Sequence, residues 1–211
     1  MSIFLKMFTI LLLFSAEVQA NYNATIPTIR GESMYVGTAS GTFPPCTEVR
    51  TSSKGYKVIR CQYSATTDYY FFADFTFPLY TTSPVLTVEP IVRTGSTDNT
   101  KVICTGVTGS VSLPTDEYNQ NDGLGGDETQ FVPGISEGIV VTSVAQADLR
   151  NQDAITIWDK TTGANCTVAN CGGRTVTMRI RRMSEASGCT GNVPADVDYT
   201  GVRIWFTRPS L

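Results

Sequence analysis

The chain has 211 residues, 41% of them hydrophobic and 17% charged, with 18 Gly and 10 Pro, too apolar for a disordered chain and too short of Lys, Glu and Leu for a helical bundle. A formal charge of −3 offers no basic face for nucleic acid. Six Cys stand beside no His, which removes Ser–His–Asp and Cys–His catalysis, histidine metal ligands and an imidazole pH switch.

The N-terminus carries one basic residue, Lys6, then an apolar run from Met7 to Phe14, then small residues at Val18 and Ala20. Those are the three parts of a secretory leader, expected over residues 1–20, and the apolar run is too short to cross a bilayer. Residues 21–211 are then expected as a single exported domain, with no membrane contact once the leader is removed. The location is secreted, periplasmic or at the cell surface. In an oxidising compartment an even cysteine count points to bridges. Six cysteines allow 15 connectivities; proximity favours Cys46 with Cys61 and Cys166 with Cys171, which leaves Cys104 with Cys189. A zinc site fails on spacing, since no C-x2-C pair is present.

Period-two alternation bounded by Gly, Pro, Asn, Asp and Ser then runs through the chain. Ser33–Ala39 and Tyr56–Ser64 are weak strand candidates. Tyr69–Phe77 is a strong one, with Phe71, Ala73, Phe75 and Phe77 on one face and Tyr70, Phe72 and Asp74 on the other. Val85–Val92 alternates as well, and Pro90, which cannot donate to a ladder, predicts an edge strand or a bulge. Thr100–Val107, Gly138–Val144 and Ala154–Trp158 follow as weaker strands, with one more near Val111 or Phe131. Val144–Asn151 is the one stretch with helical character. Arg174–Met183 and Val202–Thr207 alternate cleanly. Linker-like composition falls at Gly41–Pro45, Pro114–Asp127 and Met183–Ala195. The pattern predicts an all-β fold, an antiparallel β-sandwich of jelly-roll type with about 8–10 strands.

The stretch from Ile155 to Thr207 carries a strand (Ile155-Thr-Ile-Trp158) and a second ending in basic residues (Val176-Thr-Met-Arg-Ile-Arg-Arg182). An acidic loop (Pro194-Ala-Asp-Val-Asp198) and a closing strand (Thr200-Gly-Val-Arg-Ile-Trp-Phe-Thr207) complete it. It resembles the C-terminal half of jelly-roll structural proteins of bacteriophage virions and marine metagenomes, although Met183 stands where their pattern carries Asp. The resemblance implies a jelly roll in a structural role and transfers no catalytic residue.

Three groups of residues are candidates for function. Asp116, Glu117, Asn119, Asp122 and Asp127 are oxygen ligands on a Gly-rich stretch, the donor type that Ca²⁺ takes, without the register of an EF-hand loop. Trp158, Trp205, Tyr70 and Phe72 stand opposite the apolar face of their strands. There they form a second core layer, the centre of a protein interface, or a platform for sugar rings. Arg179, Arg181, Arg182 and Arg203 are expected to cluster where the two C-terminal strands pair, with Asp196 or Asp198 as partners. Asn23-Ala-Thr25 and Asn165-Cys-Thr167 are glycosylation sequons. No spacing marks a carboxylate acid–base pair. The reading is a non-enzymatic jelly roll acting by self-assembly or surface recognition, as a homo-oligomer or on a surface glycan or protein. Its alternative is a secreted carbohydrate-binding module or carbohydrate-active enzyme.

Overall fold

The structure, a computed structural model, describes residues 23–37, 45–51, 55–79, 85–111, 138–159 and 164–207. The chain opens with β1 (Asn23–Arg30), a 3-10 turn (Gly31–Ser33), β2 (Met34–Tyr35), β3 (Thr47–Arg50), β4 (Lys57–Cys61), β5 (Tyr69–Thr76) and β6 (Val85–Thr94). It continues through β7 (Val102–Ile103), β8 (Thr105–Val111), β9 (Ile139–Val140), β10 (Leu149–Arg150), β11 (Asp153–Thr156), β12 (Trp158–Asp159) and β13 (Ala164–Asn165). Then come α1 (Val168–Cys171), β14 (Thr175–Arg182), a second 3-10 turn (Glu185–Ser187) and β15 (Val197–Thr207).

The described strands form two large antiparallel sheets, and β7 and β9 pair as a separate two-stranded ribbon. In the first, β15 is central: one edge pairs with β6, and the other pairs with β4 over Val197–Tyr199 and with β1 over Gly201–Thr207. Beyond β6 lie β10 and β11, and beyond β4 lies β3. The second sheet runs β13-β12-β8-β14-β5-β2, antiparallel except where β12 meets β8. The last two long strands thus insert between earlier ones, β14 between β5 and β8 and β15 between β4 and β6, which is the interleaving of a jelly roll.

Alternation supplies the core. Val176, Met178 and Ile180 of β14, Phe71 and Phe75 of β5, and Val197, Tyr199, Val202 and Ile204 of β15 are buried in one cluster. The Phe71 and Tyr199 rings meet across the sheets with centroids 4.8 Å apart. The Tyr199 hydroxyl shares a 2.8 Å hydrogen bond with the Thr105 hydroxyl. Burial pushes the Tyr199 phenol up to about 12. Arg182 also points inward: its guanidinium donates to the carbonyls of Cys61 and Val193, each at 2.8 Å. It lies 5.8 Å from the Tyr63 ring centroid, and burial pulls its pKa down.

Disulfides join Cys46 to Cys61, Cys104 to Cys189 and Cys166 to Cys171, the pairs that proximity favours. The 85-residue separation of Cys104 and Cys189 makes that bridge the strongest constraint on the unfolded chain, about 4–5 kcal/mol in the chain-entropy model.

Three expectations are corrected. Val144–Asn151 is not helical: Gln146 takes a left-handed conformation (φ 60°), its N–H donates to the Thr94 carbonyl at 2.9 Å, and Leu149–Arg150 joins β6. The α-helical turn among the described residues is instead α1, closed by the Cys166–Cys171 bridge. Pro90 lies on an interior strand. It is tolerated because the pairing of β10 ends at Ile91 and that of β11 begins at Val88. The closing strand starts at Val197 rather than Val202, because a bulge between Tyr199 and Gly201 shifts the alternation. Residues 1–20 lie outside the described residues.

Gly31 sits where the first turn presses on β4; a Cβ there would fall 1.8 Å from the Lys57 carbonyl oxygen. Gly31→Ala should destabilise the fold by about 3 kcal/mol in urea titrations. A second test concerns Tyr199. An unfolded tyrosine titrates near pH 10, so the contribution of the protonated buried phenol is complete below that value and is lost as pH rises towards about 12. Between about pH 9 and about pH 11 the protein should lose about 1 kcal/mol more stability than its Tyr199→Phe variant.

Candidate functional site

The solvent side of the first sheet is built from the residues that alternate with the core. On β15 these are Asp198, Arg203 and Trp205; on β6, Val85, Thr87, Glu89 and Arg93; on β4, Arg60. The ladder sets Trp205 opposite Thr87 and Arg203 opposite Glu89, and places Asp198 between Arg93 and Arg60.

Those neighbours are joined by charge. Arg60 grips Asp198 with two hydrogen bonds, Nε to Oδ1 at 2.7 Å and Nη2 to Oδ2 at 2.9 Å, which raises the arginine's pKa. Arg203 donates to Glu89 at 3.1 Å. Arg93 donates to Asp148 at 2.6 Å, and Arg150 approaches the other Asp148 oxygen at 3.8 Å. The guanidinium of Arg203 also lies 5.8 Å from the centre of the Trp205 indole, within cation–π range. Trp205 is half-buried and anchored on a strand hydrogen-bonded along both edges. The face thus combines one fixed aromatic ring with a ladder of planar donors and acceptors.

The other predicted aromatic positions differ. Tyr70 and Phe72 do stand on the outer side of the second sheet, but they are only 7% and 3% exposed. Tyr35 stacks on Phe72 at 5.6 Å, Tyr70 meets it edge-on at 5.4 Å, and the Tyr35 hydroxyl donates to Asp74 at 3.1 Å. These rings are packed, and no ligand stacks on them without displacing what buries them. Trp158 pairs through its backbone with Asn165 and Ser110; its side chain lies outside the described residues.

The expected arginine cluster does not form, because β14 and β15 lie in different sheets. Arg182 faces the core, Arg179 and Arg181 the outer side of the second sheet, and Arg203 that of the first. Arg181 pairs with Asp68 at 3.3 Å. Asp68 also accepts from the Ser184 N–H at 2.7 Å and the Ser187 hydroxyl at 2.8 Å, fixing the second 3-10 turn. Buried Asp159 is held by Arg174 and by the Asn170 amide, at 3.3 and 3.2 Å. Both buried carboxylates serve the fold.

The Ca²⁺ expectation on Asp116, Glu117, Asn119, Asp122 and Asp127 falls outside the described residues. Among the described residues no three His, Cys, Asp or Glu side chains gather as a metal-binding group. Nor does any described helix have the length and apolarity to cross a membrane.

Sequence reasoning missed Arg60, Glu89, Arg93 and Asp148. Arg60, Glu89 and Arg93 alternate outward on their strands and Asp148 immediately precedes β10, yet each partner is set by pairing between strands distant in the chain.

No family model and no curated protein matches the chain. Among solved structures it is similar to the xylan-binding module CBM15, at 10% identity over 90% of this chain and 99% of that one, with a TM-score of 0.41. The CBM22-1 xylan-binding domain of a Paenibacillus barcinonensis protein is similar at 7% identity over 91% and 99%, with a TM-score of 0.41. A Clostridium thermocellum xylanase fragment with CBM22-1 and GH10 modules is similar at 11% identity, with a TM-score of 0.37. That match covers 85% of this chain, which spans 27% of the fragment's length. Likeness of this degree carries neither a ligand nor an activity to this chain.

Proposed function

We propose that the chain is an exported, non-enzymatic β-sandwich that binds a glycan on the solvent face of its first sheet, with Trp205 as the stacking platform. The observation that carries the proposal is the setting of Trp205: one indole on a central strand, steadied by Arg203 and bordered by Thr87, Glu89 and Val85. Sugar rings present apolar C–H faces and a rim of hydroxyls, and such a ligand is met by an aromatic ring beside planar hydrogen-bonding groups. The centre of a protein–protein interface is depleted in charge instead. Here arginines and carboxylates occupy the middle of the face, which favours glycan recognition over self-assembly.

Two further features support the reading. Three disulfides fit an oxidising compartment, in keeping with the leader expected over residues 1–20. Glu89, Asp148 and Asp198 are each engaged by an arginine, whereas a glycosidase acid must hold a proton for the leaving oxygen. These pairings support binding without bond cleavage.

The full chain, secreted from an expression host, should be retained by at least one polysaccharide in a panel of affinity gels. Trp205→Ala should weaken that retention about 10-fold or more. Val140→Ala, which trims a 60% exposed side chain on β9, outside the first sheet, should leave it unchanged. Failure to bind any glycan, or equal binding by the Trp205→Ala variant, contradicts the proposal. A defined oligomer unaffected by sugars would favour assembly instead.

A further inference from the structure

The ion pairs on the candidate face are not symmetrical. In two of them the arginine stands above its carboxylate: Arg203 is 37% exposed against 12% for Glu89, and Arg60 is 40% exposed against 17% for Asp198. Arg93 and Arg150 share one carboxylate, Asp148, at 44% and 38% exposure. In these ion pairs four guanidinium groups meet three carboxylates, two of which lie beneath the cations, and exposed Asp196 adds a negative charge within electrostatic reach of Arg60. At Arg203, beside Trp205, an incoming ligand meets N–H donors before it meets the Glu89 carboxylate. A half-buried carboxylate also holds its arginine in one orientation, so that little side-chain entropy remains to be lost when the outer edge of the guanidinium binds.

We infer that the glycan bound on this face is an acidic one, bearing carboxylate or sulfate groups that the outer edges of Arg203, Arg60, Arg93 and Arg150 receive. The inference rests on the glycan-binding reading of Trp205 and adds its ligand class. Guanidinium forks match planar carboxylates and sulfate esters in a bidentate manner, and such charge-assisted bonds are about twice as strong as those between neutral groups. Trp205 takes the sugar ring and the arginines take its anions. The site works in spite of the overall charge of −3, because exposed cations act within about a Debye length, ~10 Å at ordinary salt.

The test is affinity electrophoresis of the full oxidised chain in gels holding polygalacturonate, dextran sulfate, or polygalacturonate whose carboxyl groups have been reduced to alcohols. Retardation by polygalacturonate or dextran sulfate and not by the reduced polymer is the expected result, and the polymer that retards more identifies the anion. Raising the salt to about 0.5 M should weaken the retardation about 10-fold. Arg203→Gln and Arg93→Gln should each lower it. The exchange Glu89→Arg with Arg203→Glu keeps the ion pair but moves the guanidinium to the less exposed position, and it should lower retardation without a change in thermal midpoint. Equal retardation by the reduced polymer, insensitive to salt, overturns the acidic ligand and leaves glycan binding standing. Retardation by none of the polymers overturns the acidic ligand, and the glycan-binding reading falls separately only if neutral polysaccharides also fail. Retardation unchanged in the single substitutions and in the exchange overturns it as well.

Discussion

The two-sided alternation of β15 is the constraint on which the rest of the structure depends. This strand hydrogen-bonds to β6 along one edge and to β4 and β1 along the other, so its pleat is fixed from both sides. Its inward residues, Val197, Tyr199, Val202, Ile204 and Phe206, are core. Its outward residues, Asp198, Arg203 and Trp205, are the candidate face. Because the side-chain period of a strand is two, a slip of one residue would drive Arg203 and Trp205 into the core and Ile204 into water. The burial energy of the inward set therefore holds the outward set in register. The bulge at Tyr199–Gly201 is part of the same device, since it lets Tyr199 and Val202 both point inward although they are three residues apart.

Two buried polar side chains tie that strand and its flanking segments to the opposite sheet. The Tyr199–Thr105 hydrogen bond crosses the core, and Arg182 reaches from β14 to the carbonyls of Cys61 on β4 and Val193 just before β15. Apolar packing tolerates small displacements between sheets; hydrogen bonds at 2.8 Å do not, and an unmade one in the core is costly. The Cys46–Cys61 bridge ends on the residue whose carbonyl Arg182 engages, and Cys104–Cys189 closes the same end of the sandwich. Covalent and polar constraints thus converge where β4 meets β15, beside the Arg60–Asp198 pair.

Much of the fold was legible wherever one face of a strand is apolar. β5, β6, β14 and the second half of β15 follow their alternation closely, and cysteine proximity agreed with the bridges. β1 was not legible, because Pro27 and a register break between Ile26 and Ile29 interrupt its pattern. β3, β10 and β13 are two to four residues long and take their structure from longer neighbours. Alternation also says which residues share a face, not whether that face meets water. Tyr70, Phe72 and Trp205 have the same relation to their strands, yet the first two are buried and Trp205 is half-buried. The ion pairs around Trp205 were invisible for another reason: Arg60 and Asp198 are separated by 138 residues, and Glu89 and Arg203 by 114. Only the sheet order brings them together.

In the proposed function, the solvent face of the first sheet, and not the outer side of the second, receives the ligand. Its most direct test is a nuclear magnetic resonance titration of the isotopically labelled chain with oligogalacturonate, followed at side-chain N–H groups. Shifts are expected at the Trp205 indole N–H and at the Nε–H groups of Arg203, Arg60 and Arg93, with those of Arg179 and Arg181 on the second sheet unmoved. Shifts confined to Arg179 and Arg181, or a titration that leaves Trp205 unmoved while the ligand binds, would contradict it.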